Sequence, residues 1–216
     1  MRCPLCASHD PLHFQTVRDA QYWRCPICKL TFLDPAHYLS PTAEKQHYLT
    51  HENDPYDAGY RRWLLPLLEA LLERLPPPNR KTVAGLDFGA GPGPTLAQML
   101  REEGYSMRVY DPFFAPDEDV FQDQYDFIVC SETAEHFHNP GEEFSRMDRL
   151  LKPGRWLGIM TQLLDDDGRF AAWWYVRDPT HVAFYRRETM AWLAANFGWR
   201  LDIPRKNVVL FRKAGA

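Results

Sequence analysis

The stretch Gly85-Leu86-Asp87-Phe88-Gly89-Ala90-Gly91-Pro92-Gly93 decides the fold of this chain. It reads as a short apolar strand ending in an acid, followed by glycines at alternate positions and then by a helix. In α/β proteins this order brings a loop backbone against an adenosine-containing cofactor, and side chains at the glycines would prevent that approach. Asp111 lies 20 positions after Gly91, the spacing of an acid that binds both hydroxyls of a ribose. Together these features favour a cofactor loop over a Gly/Pro-rich surface turn.

The spacing of the glycines separates two classes of cofactor. In the dinucleotide fingerprint Gly-x-Gly-x-x-Gly/Ala, the third small residue stands three positions after the second. Counted from Gly89 and Gly91, that position is Pro94, which fits poorly. The chain reads instead Asp-x-Gly-x-Gly-x-Gly, from Asp87 to Gly93. This motif resembles the first motif of class I S-adenosylmethionine-dependent methyltransferases, and the resemblance extends through most of residues 45–213.

The resemblance implies which residues hold the cofactor. In that family the glycine loop backs onto the amino-acid part of S-adenosylmethionine, and the acid after the second strand, here Asp111, holds the ribose. Phe113 is the candidate to pack on the adenine, with a core phenylalanine as an equal alternative. Some zinc-ribbon methyltransferases carry a Tyr and a His-x-Asn before the first helix of the sheet, so Tyr48 or the His51 of His51-Glu52-Asn53 is expected to touch cofactor or acceptor. The cofactor-binding residues are therefore expected to be Asp87, Gly89, Ala90, Gly91, Gly93, Asp111, Phe113, Ser131, Glu132 and Tyr48.

Four of the five cysteines form a metal-binding pattern. Cys3 and Cys6 make one Cys-x2-Cys pair, and Cys25 and Cys28 make another after an 18-residue gap. Four thiolates in tetrahedral geometry favour zinc in a closed, structural site. Disulfides or two redox pairs are the alternatives; a cytoplasmic chain disfavours disulfides, and no strand–helix context supports redox pairs. Such a short segment has almost no core, so metal binding would supply its folding energy.

The remaining chain alternates strands and helices. This order predicts a doubly wound, mostly parallel α/β sheet with helices on both faces. Segments 200–203 and 208–212 are expected to form a terminal antiparallel hairpin, in agreement with the class I methyltransferase sheet, which carries one reversed strand at its edge. The third strand of the α/β sheet in chain order is expected to be very short, around Val120. The predicted domains are a zinc ribbon (1–36), a connector with an amphipathic helix (37–80) and the S-adenosylmethionine-binding domain (81–216).

Candidate catalytic residues follow the strands at the ligand end of the sheet. Glu135 can orient His136 as a general base near neutral pH, although the pair can also cap and anchor the next helix. The insertion 162–185 is rich in aromatic residues and reads as a substrate lid. Within it, His181 is a candidate base or hydrogen-bond donor, with a satisfied structural histidine as the alternative. The acidic run 165–167 is expected to be a solvated turn rather than a metal site.

Composition limits the classes of function. An apolar fraction of 45% with 14% aromatic residues is enough for a core in a chain of 216 residues. No apolar run approaches the roughly 18–20 residues of a membrane span, and no signal peptide precedes Cys3. The net charge of −4 argues against a general nucleic-acid binder. We therefore expect a cytoplasmic protein that acts on a small molecule without a membrane, as a monomer or weak homodimer.

These observations predict a methyltransferase with S-adenosylmethionine and a structural zinc. Methyltransferases with an N-terminal zinc module include sugar C-methyltransferases, which this chain resembles, and a His or Glu-His pair suits an oxygen or carbon acceptor. Two alternatives stay open at this stage. One is a nicotinamide oxidoreductase, which Pro94 and the terminal hairpin disfavour. The other is a non-catalytic binding module that keeps the fold, which the intact loop, Asp111 and the aromatic lid oppose.

Overall fold

Two β-sheets organise the part of the chain that a computed structural model describes, residues 1–50, 54–78 and 83–215. The larger sheet has six strands in the order β5-β4-β6-β7-β10-β9. Strands β4, β5, β6 and β7 are parallel, and β10 runs antiparallel to both of its neighbours, β7 and β9. The strands are β4 (Ala84–Phe88), β5 (Ser106–Tyr110), β6 (Tyr125–Ser131), β7 (Leu151–Met160), β9 (Arg200–Arg205) and β10 (Val208–Arg212).

Helices cover both faces of this sheet, as the burial of the central strand β6 indicates. Its residues Tyr125 to Cys130 are all buried, as expected for a strand with two covered faces. Phe127 and Val129 pack in one cluster with helices α2 and α3, whereas Ile128 and Cys130 pack in the other with α4 and α5. The predicted doubly wound fold is confirmed. The helices are α1 (Pro41–Tyr48), α2 (Ala58–Leu72), α3 (Thr95–Glu102), α4 (Pro140–Leu150) and α5 (Arg187–Phe197).

Two details of the predicted sheet are wrong. The reversed strand is not at the edge: β10 lies second from the edge and β9 takes the edge, because the hairpin folds back so that β10 pairs on both sides. No strand forms around Val120 in the described chain, where Glu118–Gln122 is a 3-10 helix. The side chain of Asp117 accepts a hydrogen bond from the amide of Asp119, which starts this turn and keeps the segment out of the sheet.

The smaller sheet joins the N-terminal segment to the insertion at 162–185, hereafter the lid. Its order is β1-β2-β3-β8, and all neighbours are antiparallel. The first three strands belong to the N-terminal ribbon, residues 1–36, and the fourth belongs to the lid. The strands are β1 (Leu12–Val17), β2 (Ala20–Arg24), β3 (Thr31–Leu33) and β8 (Ala183–Phe184). Among the helices described, none has the length and apolar character needed to span a membrane.

Candidate active site

The glycine loop after β4 adopts a backbone that only glycine takes readily. Gly89 and Gly91 have φ values of +80° and +63°. The amides of Gly89 and Ala90 both donate to the carbonyl of Tyr110 at the end of β5, at 2.8 and 3.2 Å. The hydroxyl of Thr133 donates to the Gly89 carbonyl at 2.7 Å. A Cβ atom on Gly89 would lie 2.0 Å from Thr133 Cγ2, so the loop is held too closely to accept a side chain there.

Two acidic residues flank this loop. Both carboxylate oxygens of Asp111 accept backbone hydrogen bonds: Oδ2 from Gly91 at 2.9 Å, and Oδ1 from Phe113 and Phe114 at 2.8 and 3.0 Å. Asp87 is buried; its Oδ2 accepts from the Ala97 amide, and its Oδ1 has no hydrogen-bond partner among the described residues. Burial raises the pKa of Asp87 to about 7, and nearby Asp111 adds to the increase.

A cavity of about 610 Å³ lies above this loop. Its volume is within the range of about 300–1,000 Å³ that small-molecule sites occupy. It brings together every catalytic and cofactor-binding residue predicted above, within the described part of the chain. Those residues are Asp87, Gly89, Ala90, Gly91, Gly93, Asp111, Phe113, Ser131, Glu132, Tyr48, Glu135, His136 and His181. His51 and Asn53 lie outside the described residues.

Two imidazoles and one carboxylate form the end of the cavity nearest the lid. The ring centroids of His136 and His181 are 4.7 Å apart. One ligand atom from each of these histidines and from Glu135 lies within 4.8 Å of the others. His181 Nδ1 is 2.7 Å from the carbonyl oxygen of Tyr175, and His136 Nδ1 is 3.1 Å from that of Thr180. Because a carbonyl oxygen only accepts, Nδ1 is the donor in each ring, and Nε2 carries the lone pair of the neutral form.

Burial of the His181 ring favours its neutral form. Burial lowers the pKa of His181; Glu135 and Asp178 oppose this effect, and His136 reinforces it. Glu135 is itself fully buried, and burial raises the pKa of its carboxyl. Its Oε2 accepts from the Thr161 hydroxyl at 2.9 Å, while its Oε1 has no hydrogen-bond partner within the described chain. Glu135 therefore acts electrostatically on His181, in addition to its predicted role toward His136.

Ser131, the last residue of β6, and Glu132, which follows it, line the cavity. Glu132 has a φ of +49°, an uncommon backbone conformation for a residue with a side chain. Its Oε1 is buried without a hydrogen-bond partner in the described chain, and burial together with Glu135 raises its pKa well above the ordinary value. Strain combined with an unsatisfied buried carboxylate is a feature of functional sites rather than of a packed core.

Residues of the connector also line the cavity. The Tyr48 ring meets His136 edge-on at 5.2 Å and lies 5.8 Å from the ring of Phe113. The Tyr48 hydroxyl donates to Glu44 Oε1 at 2.7 Å, and a glutamate in this position had no signal in the sequence. Tyr48 and Phe113 are therefore placed together at the cavity, as the predicted contact with cofactor or acceptor requires.

Sequence reasoning missed several lining residues. Tyr60 and Trp63 recur at helical spacing in α2, which predicted packing against the sheet, yet both line the cavity. Asp178 also lines it, and its carboxylate accepts from the amide and hydroxyl of Thr180. Burial would raise the pKa of Asp178, but the Thr180 bonds and the nearby His181 hold it at about 2. A short polar residue two positions before Thr180 is an Asx-turn signal that could have located it.

In the acidic run 165–167, Asp165 and Asp166 are exposed, as expected of a solvated turn, whereas Asp167 forms ion pairs. The Asp167 carboxylate pairs with Arg24 of the ribbon, with Arg24 Nη2 donating to Oδ1 at 2.8 Å, and it also pairs with Arg186. The guanidinium of Arg24, and to a smaller extent that of Arg186, lowers the pKa of Asp167. The run therefore connects the lid to the ribbon.

The four N-terminal cysteines converge on one point. Their sulfur atoms all lie within 4.8 Å of one another, with Cys3 and Cys28 Sγ atoms 3.5 Å apart and those of Cys6 and Cys25 3.4 Å apart. These distances exceed the roughly 2.05 Å of a disulfide. Zn–S bonds of about 2.3 Å in a tetrahedron require sulfur atoms somewhat less than 4 Å apart. The donor set and its spacing therefore fit a four-thiolate zinc ion.

Comparisons with known proteins agree with this geometry. A family model described as "Methyltransferase domain" matches residues 60–202. The chain is similar in structure to an O-methyltransferase family protein from Burkholderia thailandensis, with a TM-score of 0.53 and 15% identity over 72% of this chain and 57% of that one. It therefore spans little more than half of that relative.

A second similar structure is matched over nearly its whole length. It is the 1,6-didemethyltoxoflavin-N1-methyltransferase of Burkholderia thailandensis, solved with 1,6-didemethyltoxoflavin and S-adenosylhomocysteine bound. The TM-score is 0.53 and the identity 16%, over 95% of this chain and 99% of that one. At these identities both structures establish the shared fold. In sequence, no curated protein matches the chain.

Proposed function

Since this chain belongs to the methyltransferase domain family, we propose that it is an S-adenosylmethionine-dependent methyltransferase. Its acceptor would be an oxygen or carbon atom of a small molecule, with His181 as the base. One observation carries this proposal. The buried His181, whose Nε2 holds the lone pair, lines the same cavity as the glycine loop. A methyl donor on the loop and a proton acceptor on the lid can therefore serve one acceptor atom.

The residues around the loop fit S-adenosylmethionine. Positive φ at Gly89 and Gly91 exposes backbone where a cofactor approaches, and the buried Asp87 Oδ1 is an acceptor without a partner in the described chain. Asp111 would hold the ribose, and Phe113 would pack on the adenine. When bound, the cofactor supplies an electrophilic methyl group on a sulfonium. The part of the chain is to orient both reactants and exclude water, which provides much of the rate enhancement of such a displacement.

Proton removal from the acceptor falls to His181. A hydroxyl or an acidic C–H is a poor nucleophile until it loses a proton, and general-base catalysis typically contributes about 10²–10⁴-fold. The Nδ1 donor bond to Tyr175 fixes the ring, and Glu135 stabilises the imidazolium that forms after proton transfer. His136 and Tyr48 would contact the acceptor on the other side. Glu132 and Ser131 would lie between acceptor and cofactor.

The lid and the connector favour a small acceptor. Trp174, Tyr175 and Asp178 from the lid, with Glu44 and Tyr48 from α1, line the same cavity as the glycine loop and narrow the access to it. A macromolecular acceptor would need an open approach to the same point.

We further propose that Cys3, Cys6, Cys25 and Cys28 bind one structural zinc ion. The protein would be located in the cytoplasm, where thiols stay reduced, as a monomer or weak homodimer.

Two measurements test the proposed methyl transfer. The full chain, expressed with zinc, should show a rise in melting temperature with S-adenosylhomocysteine and none with NAD. It should also transfer labelled methyl from S-adenosylmethionine to a component of a small-molecule extract, and the His181→Asn variant should not. Failure of S-adenosylhomocysteine to stabilise the protein would overturn the cofactor site, and equal transfer by His181→Asn would remove His181 as the base.

The proposed zinc site has its own test. Elemental analysis should give one zinc per chain, and X-ray absorption should show about four sulfur ligands at roughly 2.3 Å.

A further inference from the structure

The ribbon and the lid share one hydrophobic core. Seven buried side chains form this cluster, and partly buried residues from both segments surround it. From the ribbon, Tyr22 places its ring edge-on against Phe170 and Phe184 of the lid, at 5.0 and 5.8 Å. Phe14 of β1 also meets Phe170, at 5.1 Å. The lid therefore buries its aromatic residues against the ribbon. The buried members are Tyr22, Leu33, Leu164, Phe170, Tyr175, Val182 and Phe184.

Backbone hydrogen bonds extend the ribbon sheet to the residue after His181. The Leu33 amide donates to the Val182 carbonyl at 2.9 Å, and the register continues with Phe32 opposite Ala183 and Thr31 opposite Phe184. The Val182 amide donates in turn to the Glu135 carbonyl at 2.9 Å. Val182 is therefore held from two sides, by the ribbon and by the segment after β6. This arrangement restricts the backbone that carries the neighbouring His181.

Polar contacts secure the other end of the lid to the ribbon. Arg24 of β2 forms a two-pronged pair with Asp167, stacks over the Phe14 ring at 3.8 Å, and donates to Thr31 at 2.9 Å. The side-chain amide of Gln15 donates to the Asp167 carbonyl at 2.9 Å. The lid is thus joined to the ribbon at residue 167 and again at residues 182–184, on either side of the segment that lines the cavity.

The ribbon is also fixed to the main domain independently of the lid. The amide of Gly141, at the start of α4, donates to the Pro4 carbonyl between the first two cysteines, at 3.2 Å. A Cβ atom on Gly141 would lie 2.5 Å from the carbonyl oxygen of Leu5, so the cysteine loop packs directly on this helix. The ribbon therefore has a fixed position from which it can hold the lid.

We propose that the metal-bound ribbon is a positioning element for the acceptor side of the active site: it orders the lid and thereby the His181 imidazole, and leaves the cofactor loop to the central sheet. No ribbon residue is among the described residues that line the cavity, so the ribbon acts through the lid and touches neither reactant. The inference rests on the proposed role of His181. It predicts that damage to the ribbon affects the acceptor half of the site and spares cofactor binding.

The test compares two neighbouring residues of β2. Tyr22→Ala removes the ring shared with the lid, whereas the control Trp23→Ala removes a ring on the opposite face, whose indole donates to Asp34. In Tyr22→Ala, amides of the lid should exchange hydrogen about tenfold faster or more. The pKa of His181, followed by NMR, should rise toward about 6.5 as the ring loses its burial. Zinc content should be unchanged and the S-adenosylhomocysteine affinity should stay within about twofold.

A second experiment does not depend on a folded variant. Zinc removal from the full wild-type chain with a chelator should accelerate exchange across the lid by a similar factor, with S-adenosylhomocysteine binding retained. Unchanged lid exchange and an unchanged His181 pKa after both treatments would overturn the proposal. An equal effect of Trp23→Ala and Tyr22→Ala would also overturn it, because the shared core would then have no special role. If S-adenosylhomocysteine fails to bind the zinc-loaded wild type, the proposed function fails, while the exchange data still decide the positioning role.

Discussion

His181 donates its Nδ1 proton to the carbonyl oxygen of Tyr175, 2.7 Å away. Both residues belong to the lid and both line the cavity. The bond fixes the tautomer as well as the ring plane, because protonation of Nδ1 leaves Nε2 as the basic nitrogen of the neutral ring. A lid that closed without this bond would present an imidazole in two tautomers. The contact between Tyr175 and His181 therefore fixes the proposed base before an acceptor binds.

Replacement of His181 by asparagine separates positioning from basicity. The Asn amide nitrogen can still donate where Nδ1 did, but it offers no basic atom in the place of Nε2. We expect turnover to fall by about 10²–10⁴-fold with S-adenosylhomocysteine affinity unchanged. In the wild type, turnover should rise with pH with a midpoint below about 6.5, the ordinary pKa of a histidine, because burial lowers the pKa of His181 while Glu135 and Asp178 oppose it and His136 adds to it. A midpoint above about pH 7 would contradict this assignment.

A methyl group on Gly89 should weaken cofactor binding strongly. In Gly89→Ala, the new Cβ would lie 2.0 Å from Thr133 Cγ2, on a backbone with φ of +80°. We expect S-adenosylhomocysteine affinity to fall at least about tenfold, since the loop must move to relieve this contact. Gly198→Ala is the matched control: φ is +67°, and a Cβ added there would meet no described atom within 4 Å. The control should lower the melting temperature with no change in affinity, as measured by calorimetric titration.

Removal of the Asp111 carboxylate should weaken the cofactor site in two ways. Asp111→Ala deletes the proposed ribose acceptor and also leaves the amides of Gly91, Phe113 and Phe114 without their hydrogen bonds. An affinity loss of about tenfold or more for S-adenosylhomocysteine is expected. Asp117→Ala is a suitable control, because Asp117 forms a solvent-exposed pair with Arg108. Equal affinities in the two variants would exclude Asp111 from the site.

Local patterns predicted the cofactor half of the site, and distant contacts determined the rest. The Asp87-to-Gly93 loop and Asp111 are adjacent to predictable strands, so their meeting at one edge of a parallel sheet followed from the order of elements. The pairing of Leu33 with Val182 had no such signal, because β8 has only two residues and its partner lies in the N-terminal ribbon. Segment 118–122 is not a strand for a local reason, because the Asp117 side chain starts a turn there. Tyr60 and Trp63 lie at apolar helix positions that can face either the core or a cavity, and spacing does not separate these cases.

The buried carboxyl of Asp87 should make the cofactor-free protein less stable as pH rises. Burial raises its folded-state pKa to about 7, above the unfolded value of 3.8. A raised pKa means that the native state holds a proton that the unfolded state has lost, so the stabilisation is complete below about pH 4 and is lost as pH rises through 7. Between these limits the free energy of unfolding should fall by up to about 1.4 kcal/mol per pH unit. Denaturant unfolding from pH 5 to 8 measures this slope.

Asp87→Asn isolates the contribution of this one group. The variant keeps a side-chain oxygen for the Ala97 amide but cannot ionise, so its unfolding free energy should depend less on pH over the same window. Glu132 and Glu135, whose pKa values are also raised, should leave a residual slope of the same sign. Carboxyls with lowered pKa values, such as Asp178, act below about pH 4 and do not interfere. Identical slopes in variant and wild type would show that Asp87 ionises at its ordinary pKa, and the loop would then hold a charged acid in the absence of cofactor.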